Sequence, residues 1–184
     1  MRDLFLTPGS TGLIAIDIQD KLLAHIERPC EVMDALKNAV KGFSSLNMPL
    51  LVTEQVPEKL GSTTQTLAAL LPKETPIFSK SSFSCLGNPY FKEMILSLPV
   101  KNWVLCGLES HICVLQTAKA LIGLGKGVVV LNDAISSRSI FDYSTAIAEM
   151  RDMGVRISSV ETILFELIGD AEAAKFKVIS EIVK

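Results

Sequence analysis

Gly12-Leu13-Ile14-Ala15-Ile16-Asp17-Ile18-Gln19 contains four consecutive apolar residues held between a glycine and an aspartate, with no polar alternation. A strand with one wet face alternates apolar and polar residues. An unbroken run of this length fits a strand covered on both faces, which is the habit of parallel sheets. Similar short runs recur at Pro49-Leu50-Leu51-Val52-Thr53, Ile77-Phe78-Ser79, Trp103-Val104-Leu105-Cys106, Val128-Val129-Val130-Leu131 and Val155-Arg156-Ile157-Ser158. Helical stretches separate them. Between Glu31 and Leu46, the residues Val32, Met33, Leu36, Val40 and Phe43 fall at helical spacing. Further helices are expected over 63–71, from Pro89 through Leu96, over 110–124 and 143–153, and near the end over 162–168 and 171–183. Pro89 suits a first helical position, Gly125 and Gly127 stop the helix that starts at Ser110, and Asp142 and Gly154 read as cap and stop of the helix from Tyr143. Strands alternating with helices, joined by right-handed crossovers, give a doubly wound, three-layer α/β/α domain of six parallel strands.

The chain has 184 residues, which by the rule of about 150 per domain is a single domain spanning 1–184. Hydrophobic residues are 48% and charged residues 21%, which argues against disorder, collagen and coiled coil. A net charge of -2 and a pI near 5.7 disfavour a nucleic-acid partner, whose phosphates call for a basic face. The longest apolar runs, 127–131 and 163–168 with its internal Glu166, are too short to span a bilayer, so no membrane role is expected. Met1 to Gly9 lacks the long apolar core of an export signal and the Arg/Ser-rich pattern of a transit peptide. Four scattered cysteines without a CxxC pair point to a reducing intracellular compartment, cytoplasmic by default and compatible with a mitochondrial one. With only His25 and His111, a multi-histidine zinc site is ruled out, and neither metal nor cofactor is expected.

Doubly wound sheets place their ligands at the carboxyl ends of the strands. Asp17 ends the first strand, and while the chain stays extended Gln19 faces the same side. On its own such an aspartate reads as turn chemistry. Lys80 ends the third strand, between Phe78 and Phe83 with small hydroxyls around it; a lysine there is commonly a solvated charge. Cys113 falls in the first turn of the helix after the fourth strand, within Gly107-Leu108-Glu109-Ser110-His111-Ile112-Cys113-Val114. An isolated cysteine is usually a small buried apolar residue. A helix N-terminus, however, favours a thiolate and offers N–H groups to an oxyanion. Cys30, Cys85 and Cys106 lack that setting and read as structural, with Cys106 in the core. His111, two residues from Cys113, does not face it on a helix and reads as a surface or helix-entry residue. Gly123, Gly125 and Gly127 follow a helix and precede a strand, the reverse of a dinucleotide-binding fingerprint. Asp133 to Arg138 reads as turn and cap chemistry, with a subunit contact open to Arg138.

Taken together, Asp17, Lys80 and Cys113 resemble the Asp–Lys–Cys triad of the isochorismatase-like cysteine hydrolases. The similarity runs from Gly12 to about Val183, and its signatures stand at equivalent strand ends in the family's order. Thr53-Glu54-Gln55 through Leu60-Gly61, with Asn132 to Arg138, is most similar to the isochorismatase domain-containing subgroup. The resemblance implies strand order 3-2-1-4-5-6, a cis peptide at Leu108–Glu109, and an oxyanion hole from the N–H groups of Glu109 and Cys113. Gln19, Glu54, Gln55 and Phe83 are candidate substrate-binding residues, each equally compatible with loop or core. The resemblance also implies a homo-oligomer, dimer or tetramer, in keeping with a mean hydropathy of +0.37.

Two departures narrow the chemistry. The metal of the nicotinamidase branch needs an Asp-x-His pair and further histidines after the second strand, where this chain has Thr53-Glu54-Gln55-Val56-Pro57. The isochorismate hydrolases lack the nucleophilic cysteine, so Cys113 argues for acyl or carbamoyl chemistry. The expected activity is metal-free hydrolysis of a small amide or related C–N bond through a thioester, with a small molecule as partner. Two alternatives stand beside it: a non-catalytic or redox member with Cys113 as a sensor thiol, and a ribonuclease, a label some proteins of this type have carried.

Overall fold

The computed structural model describes residues 5–184; Met1 to Leu4, part of the segment read for an export signal, lie outside the described residues. Six strands form one sheet: β1 (Thr11–Ile16), β2 (Leu50–Gln55), β3 (Ile77–Lys80), β4 (Asn102–Leu108), β5 (Gly127–Ser136) and β6 (Arg156–Ser158). Their order is β3-β2-β1-β4-β5-β6 and every neighbouring pair is parallel, as expected. The helices are α1 (Asp20–Leu23), α2 (Pro29–Ser45), α3 (Pro57–Leu60), α4 (Gln65–Ala68), α5 (Pro89–Ser97), α6 (Leu115–Gly123), α7 (Ile140–Asp152), α8 (Val160–Ile168) and α9 (Phe176–Val183). Among the described residues no helix is long and apolar enough to cross a membrane.

The pleat sends successive strand residues to opposite faces, and both faces are buried. Leu13 and Ala15 of β1, Val52 of β2 and Val104 and Cys106 of β4 pack with Leu36, Phe43, Leu164 and Ile179 of α2, α8 and α9. Ile14, Ile16, Leu51, Trp103 and Leu105 pack on the other side with Phe91, Ala118, Leu121 and Met150 of α5, α6 and α7. That two-sided burial is why β1 reads as an unbroken apolar run.

Several boundaries differ from the sequence expectation. Asn88 caps α5, accepting from Tyr90 N and Phe91 N, and Pro89 opens it as expected. The cap of α7 is Ser139, which accepts from Phe141 N; Asp142 sits inside the first turn. Helices α1 and α3, four residues each, are too short to show a period. Helix is confined to 65–68 within the expected 63–71 and to 176–183 within 171–183. Strand β5 continues to Ser136, through residues read as a turn. Its pairing with β4 jumps from Leu105↔Val130 to Gly107↔Ile135, so the polar Asn132 and Asp133 fall in an irregular stretch. Asp133 there accepts from Val160 N with both carboxylate oxygens and so caps α8.

Candidate active site

The switch in strand order lies between β1 and β4, and the polar cluster lies at their carboxyl ends. Ile16 faces the α5–α7 side, so a continued strand would turn Asp17 to the opposite face. Asp17 instead takes a left-handed backbone, φ +53°, a region aspartate tolerates better than most residues. Its N–H still donates to Thr53 O at 3.0 Å, and Gln19 N donates back to Asp17 O at 2.9 Å. The break in the alternation brings the carboxylate to the side that carries Thr53, whose Cα partner is Ile16. Thr53 Oγ1 donates to Asp17 Oδ1 at 2.7 Å, and Lys80 Nζ donates to Oδ2 at 2.6 Å. The chain is therefore not extended through Asp17, and the spacing argument that put Gln19 on its side does not apply. The Gln19 amide donates to Gln55 O and Gly61 O and accepts from Gln55 N, which ties it to the loop after β2.

Lys80 is no solvated charge. It shares its face of β3 with Phe78, which packs edge-on against Phe91 of α5 at 5.2 Å. Its ammonium has three oxygen acceptors: Asp17 Oδ2, Gln55 Oε1 at 2.5 Å and Ser82 O at 3.2 Å; Cys113 Sγ lies 3.6 Å away. The side chains of Lys80 and Asp17 are both fully buried. Burial alone pushes the ammonium's pKa down, but the negative charge of Asp17, joined by those of Cys85 and Cys113 once they ionise, outweighs it, and the net shift is upward. Lys80 is therefore a cation throughout the physiological range.

Gly107 bends the end of β4. At φ +122°, a Cβ there would lie 2.0 Å from Ile16 O, so only glycine fits beside β1. The Leu108–Glu109 peptide is cis, in line with the resemblance. Ser110–Val114 then forms one π-helical turn before α6, with Ile112 N and Val114 N both donating to Glu109 O. Cys113 sits in that turn, 5% exposed where Asp17 has no exposure at all. Its thiol pKa is raised, first by burial, then by the charge of Asp17 and by hydrogen bonding to it; Lys80 pulls the other way and loses. This corrects the expectation of a thiolate stabilised by the helix N-terminus: at rest Cys113 is a neutral thiol against a carboxylate.

The remaining candidates divide. Gln55 reaches the cluster through Lys80 and through its Nε2, which donates to Ser81 O at 2.9 Å. Glu54 points away: its Oε1 accepts from Thr63 N and Thr63 Oγ1 at 2.7 and 2.8 Å. Phe83 is half-exposed beyond β3. Glu109 ion-pairs through its carboxylate with Arg138 at 2.5 Å, so Arg138 has a partner within the chain. His111 Nδ1 pairs with Ser137 Oγ at 2.9 Å, tying the π turn to the end of β5. Cys106 is in the core and Cys30 is exposed. A surface depression lined by Val56, Pro57, Glu58, Ser79, Lys80 and Ser81 reaches the cluster's outer side without touching Asp17 or Cys113. Among the described residues no group of three or more His, Cys, Asp or Glu is placed to hold a metal ion. Sequence reading missed Thr53, which donates to Asp17, and the place of Cys85 behind Thr53. For Thr53 the signal was present in its parity with the apolar Leu51.

The isochorismatase domain profile matches residues 11–162. The secreted isochorismatase effector Isc1 of Phytophthora sojae (strain P6497) is 34% identical over 182 residues, 97% of this chain and 87% of that protein. Isochorismatase domain-containing protein 2 of Xenopus laevis is 35% identical over 175 residues, 95% of this chain and 83% of its own. Among solved structures, MAR1 ribonuclease from Caenorhabditis elegans superimposes with a TM-score of 0.93 at 34% identity, covering 97% of this chain and 92% of that one.

Proposed function

The chain belongs to the isochorismatase family, and from that premise we propose that it is a metal-independent cysteine hydrolase that cleaves a small amide or related C–N bond. The supporting observation is the meeting of three groups distant in sequence: Lys80 Nζ stands 2.6 Å from Asp17 Oδ2 and 3.6 Å from Cys113 Sγ.

Because the thiol is neutral at rest, its deprotonation and its attack on the carbonyl carbon belong to one step. The S–H proton passes to the Asp17 carboxylate as the S–C bond forms. Lys80 offsets the negative charge that moves between sulfur and carboxylate. The N–H groups of Glu109 and Cys113 receive the oxyanion, a contribution of about 3 kcal/mol per donor in comparable sites. Asp17 then returns the proton to the departing nitrogen, the C–N bond breaks, and a thioester remains on Cys113. A water that gives its proton to Asp17 attacks the thioester; the acid leaves, and the thiol recovers its proton. Gln55 acts through Lys80, and Phe83 lies at the rim where a substrate would enter. Glu54 Oε1 accepts from Thr63 N and Thr63 Oγ1, which ties β2 to the following loop. We also propose a homo-oligomer, supported by the exposed Tyr90, Ile140 and Phe141; sedimentation velocity showing only monomer would end that reading.

The test is a panel of small primary amides and carbamoyl compounds, with ammonia or amine release measured and the Cys113 peptide examined by mass spectrometry for an acyl adduct. Turnover with an adduct that Cys113→Ser abolishes is expected. Fast alkylation of Cys113 with no turnover of any compound would favour the sensor-thiol reading instead. The ribonuclease name carried by the Caenorhabditis elegans structure supplies a second reading. It gains ground here only if purified protein cleaves RNA and Cys113→Ser does not.

A further inference from the structure

The Asp17 carboxylate is also reached from behind, by side chains that no step above uses. Thr53 Oγ1 donates to Asp17 Oδ1 at 2.7 Å. A hydroxyl carries one proton. With that proton on Oδ1, Thr53 Oγ1 can only accept from its other neighbour, Cys85 Sγ, at 3.6 Å. Burial pushes the Cys85 thiol up to about 11, so it keeps a proton to give at neutral pH. Thr117 Oγ1, on α6, accepts from Cys85 N at 3.0 Å and donates to Cys85 Sγ at 3.2 Å. Proton counting thus fixes every direction, and the chain runs Thr117 to Cys85 to Thr53 to Asp17. All four residues are fully buried, where water cannot substitute for a missing donor.

We propose that Thr53 and Cys85 are positioning residues whose relay of donors holds Asp17 in its carboxylate form, so that the acid limit of the site is set from behind it as well as by Lys80. A donor to the charged form favours that form, and consecutive hydrogen bonds polarise one another. The titratable groups that face Asp17 are Lys80 from β3, Cys113 from the π turn and Cys85 from the turn before α5. The inference rests on Asp17 acting as the base for Cys113.

The experiment follows alkylation of Cys113 by iodoacetamide between pH 4 and 9, located by mass spectrometry, so no substrate is needed. In the wild type a proton shared between Cys113 and Asp17 gives a plateau with an acid limb. Thr53→Val should move the half-point of that limb upward by about one pH unit or more, the equivalent of one hydrogen bond to a charged group. Thr53→Ser, which keeps the hydroxyl, should match the wild type. Cys85→Ala should move the limb in the same direction by less, and carries the test if the valine variant does not fold. A limb that stays in place in Thr53→Val, or moves as far in Thr53→Ser, overturns the relay while leaving the proposed base intact. A wild-type rate that climbs tenfold per pH unit without a plateau overturns both.

Discussion

Lys80→Met isolates what the buried ion pair contributes. Methionine keeps an unbranched stem and removes the ammonium, leaving the Asp17 carboxylate with no cation in a site where both side chains are fully buried. Breaking one partner of a buried pair costs about 3–5 kcal/mol. A second route gives the same size. The variant can escape the charge by protonating its carboxyl; for an ordinary carboxyl of pKa about 3.9, that costs about 4 kcal/mol at pH 7. The escape becomes easier by about 1.4 kcal/mol per pH unit, so at pH 5 the deficit should shrink to about 1.5 kcal/mol. Lys80 itself adds no slope over this range. Its folded pKa is raised above 10.5, so its stabilisation is complete below that value and is lost only as pH rises through the folded pKa. The assay is urea unfolding of wild type, Lys80→Met and the double variant Asp17→Asn/Lys80→Met at pH 7 and pH 5. The single variant should lose about 4 kcal/mol at pH 7, or a Tm drop of about 8–16 °C for a chain of this size. The double variant should regain much of it, because the uncompensated charge is gone. A pH 7 loss under about 1 kcal/mol, or an equal loss at both pH values, would refute the reasoning.

Two further outcomes follow from the same geometry. The pKa of Cys85 is raised from 9.0 to about 11 by burial, and those of Cys106 and Cys113 are raised as well. Above pH 9 the unfolded chain releases these protons while the native chain holds them, so stability falls as pH rises; for Cys85 alone the fall is about 3 kcal/mol by pH 11. Urea midpoints at pH 8 and 10.5 in reductant should show it, with a shallower decline in Cys85→Ala; parallel declines would count against it. Gly107→Ala places a methyl 2.0 Å from Ile16 O at φ +122° and should cost about 3 kcal/mol, together with loss of Cys113 alkylation at the wild-type rate. A variant of unchanged midpoint would show that β4 can bend without glycine.

The layers and the sheet order were legible because they rest on burial. Leu13 to Ile16 and Val128 to Leu131 are apolar on both faces, and only a covered parallel sheet hides both. The polar strand ends were less legible: Glu54 and Gln55 belong to β2, and Asn132 to Ser136 to β5, yet their composition is that of a turn. Hydrogen bonding to neighbouring strands, absent from any local pattern, is what extends them. At the site, residue types and order pointed to Asp17, Lys80 and Cys113, but the roles around them did not follow from spacing. Gln19 and Glu54 look like pocket residues in sequence and act as loop ties in the structure, because their partners Gly61 and Thr63 come from a loop whose path no local pattern fixes.

The placement of Asp17 and the protonation of the Cys113 thiol have one cause. Strand alternation assigns Asp17 to the wrong face, and a left-handed residue corrects it. Helix position assigns Cys113 a thiolate, and burial beside the Asp17 carboxylate reverses that. Both departures run against local preference, and both serve to bring a carboxylate and a thiol together out of water. A thiolate poised in the open would be reactive toward any electrophile. In the proposed mechanism the neutral thiol gives up its proton to Asp17 as it attacks a substrate carbon, with the N–H groups of Glu109 and Cys113 receiving the oxyanion. The same burial that keeps the resting thiol protonated makes the Lys80 charge effective, since a cation 3.6 Å from sulfur acts far more strongly in this interior than it would in water. Residues that break the local rules are therefore those on which the proposed chemistry depends.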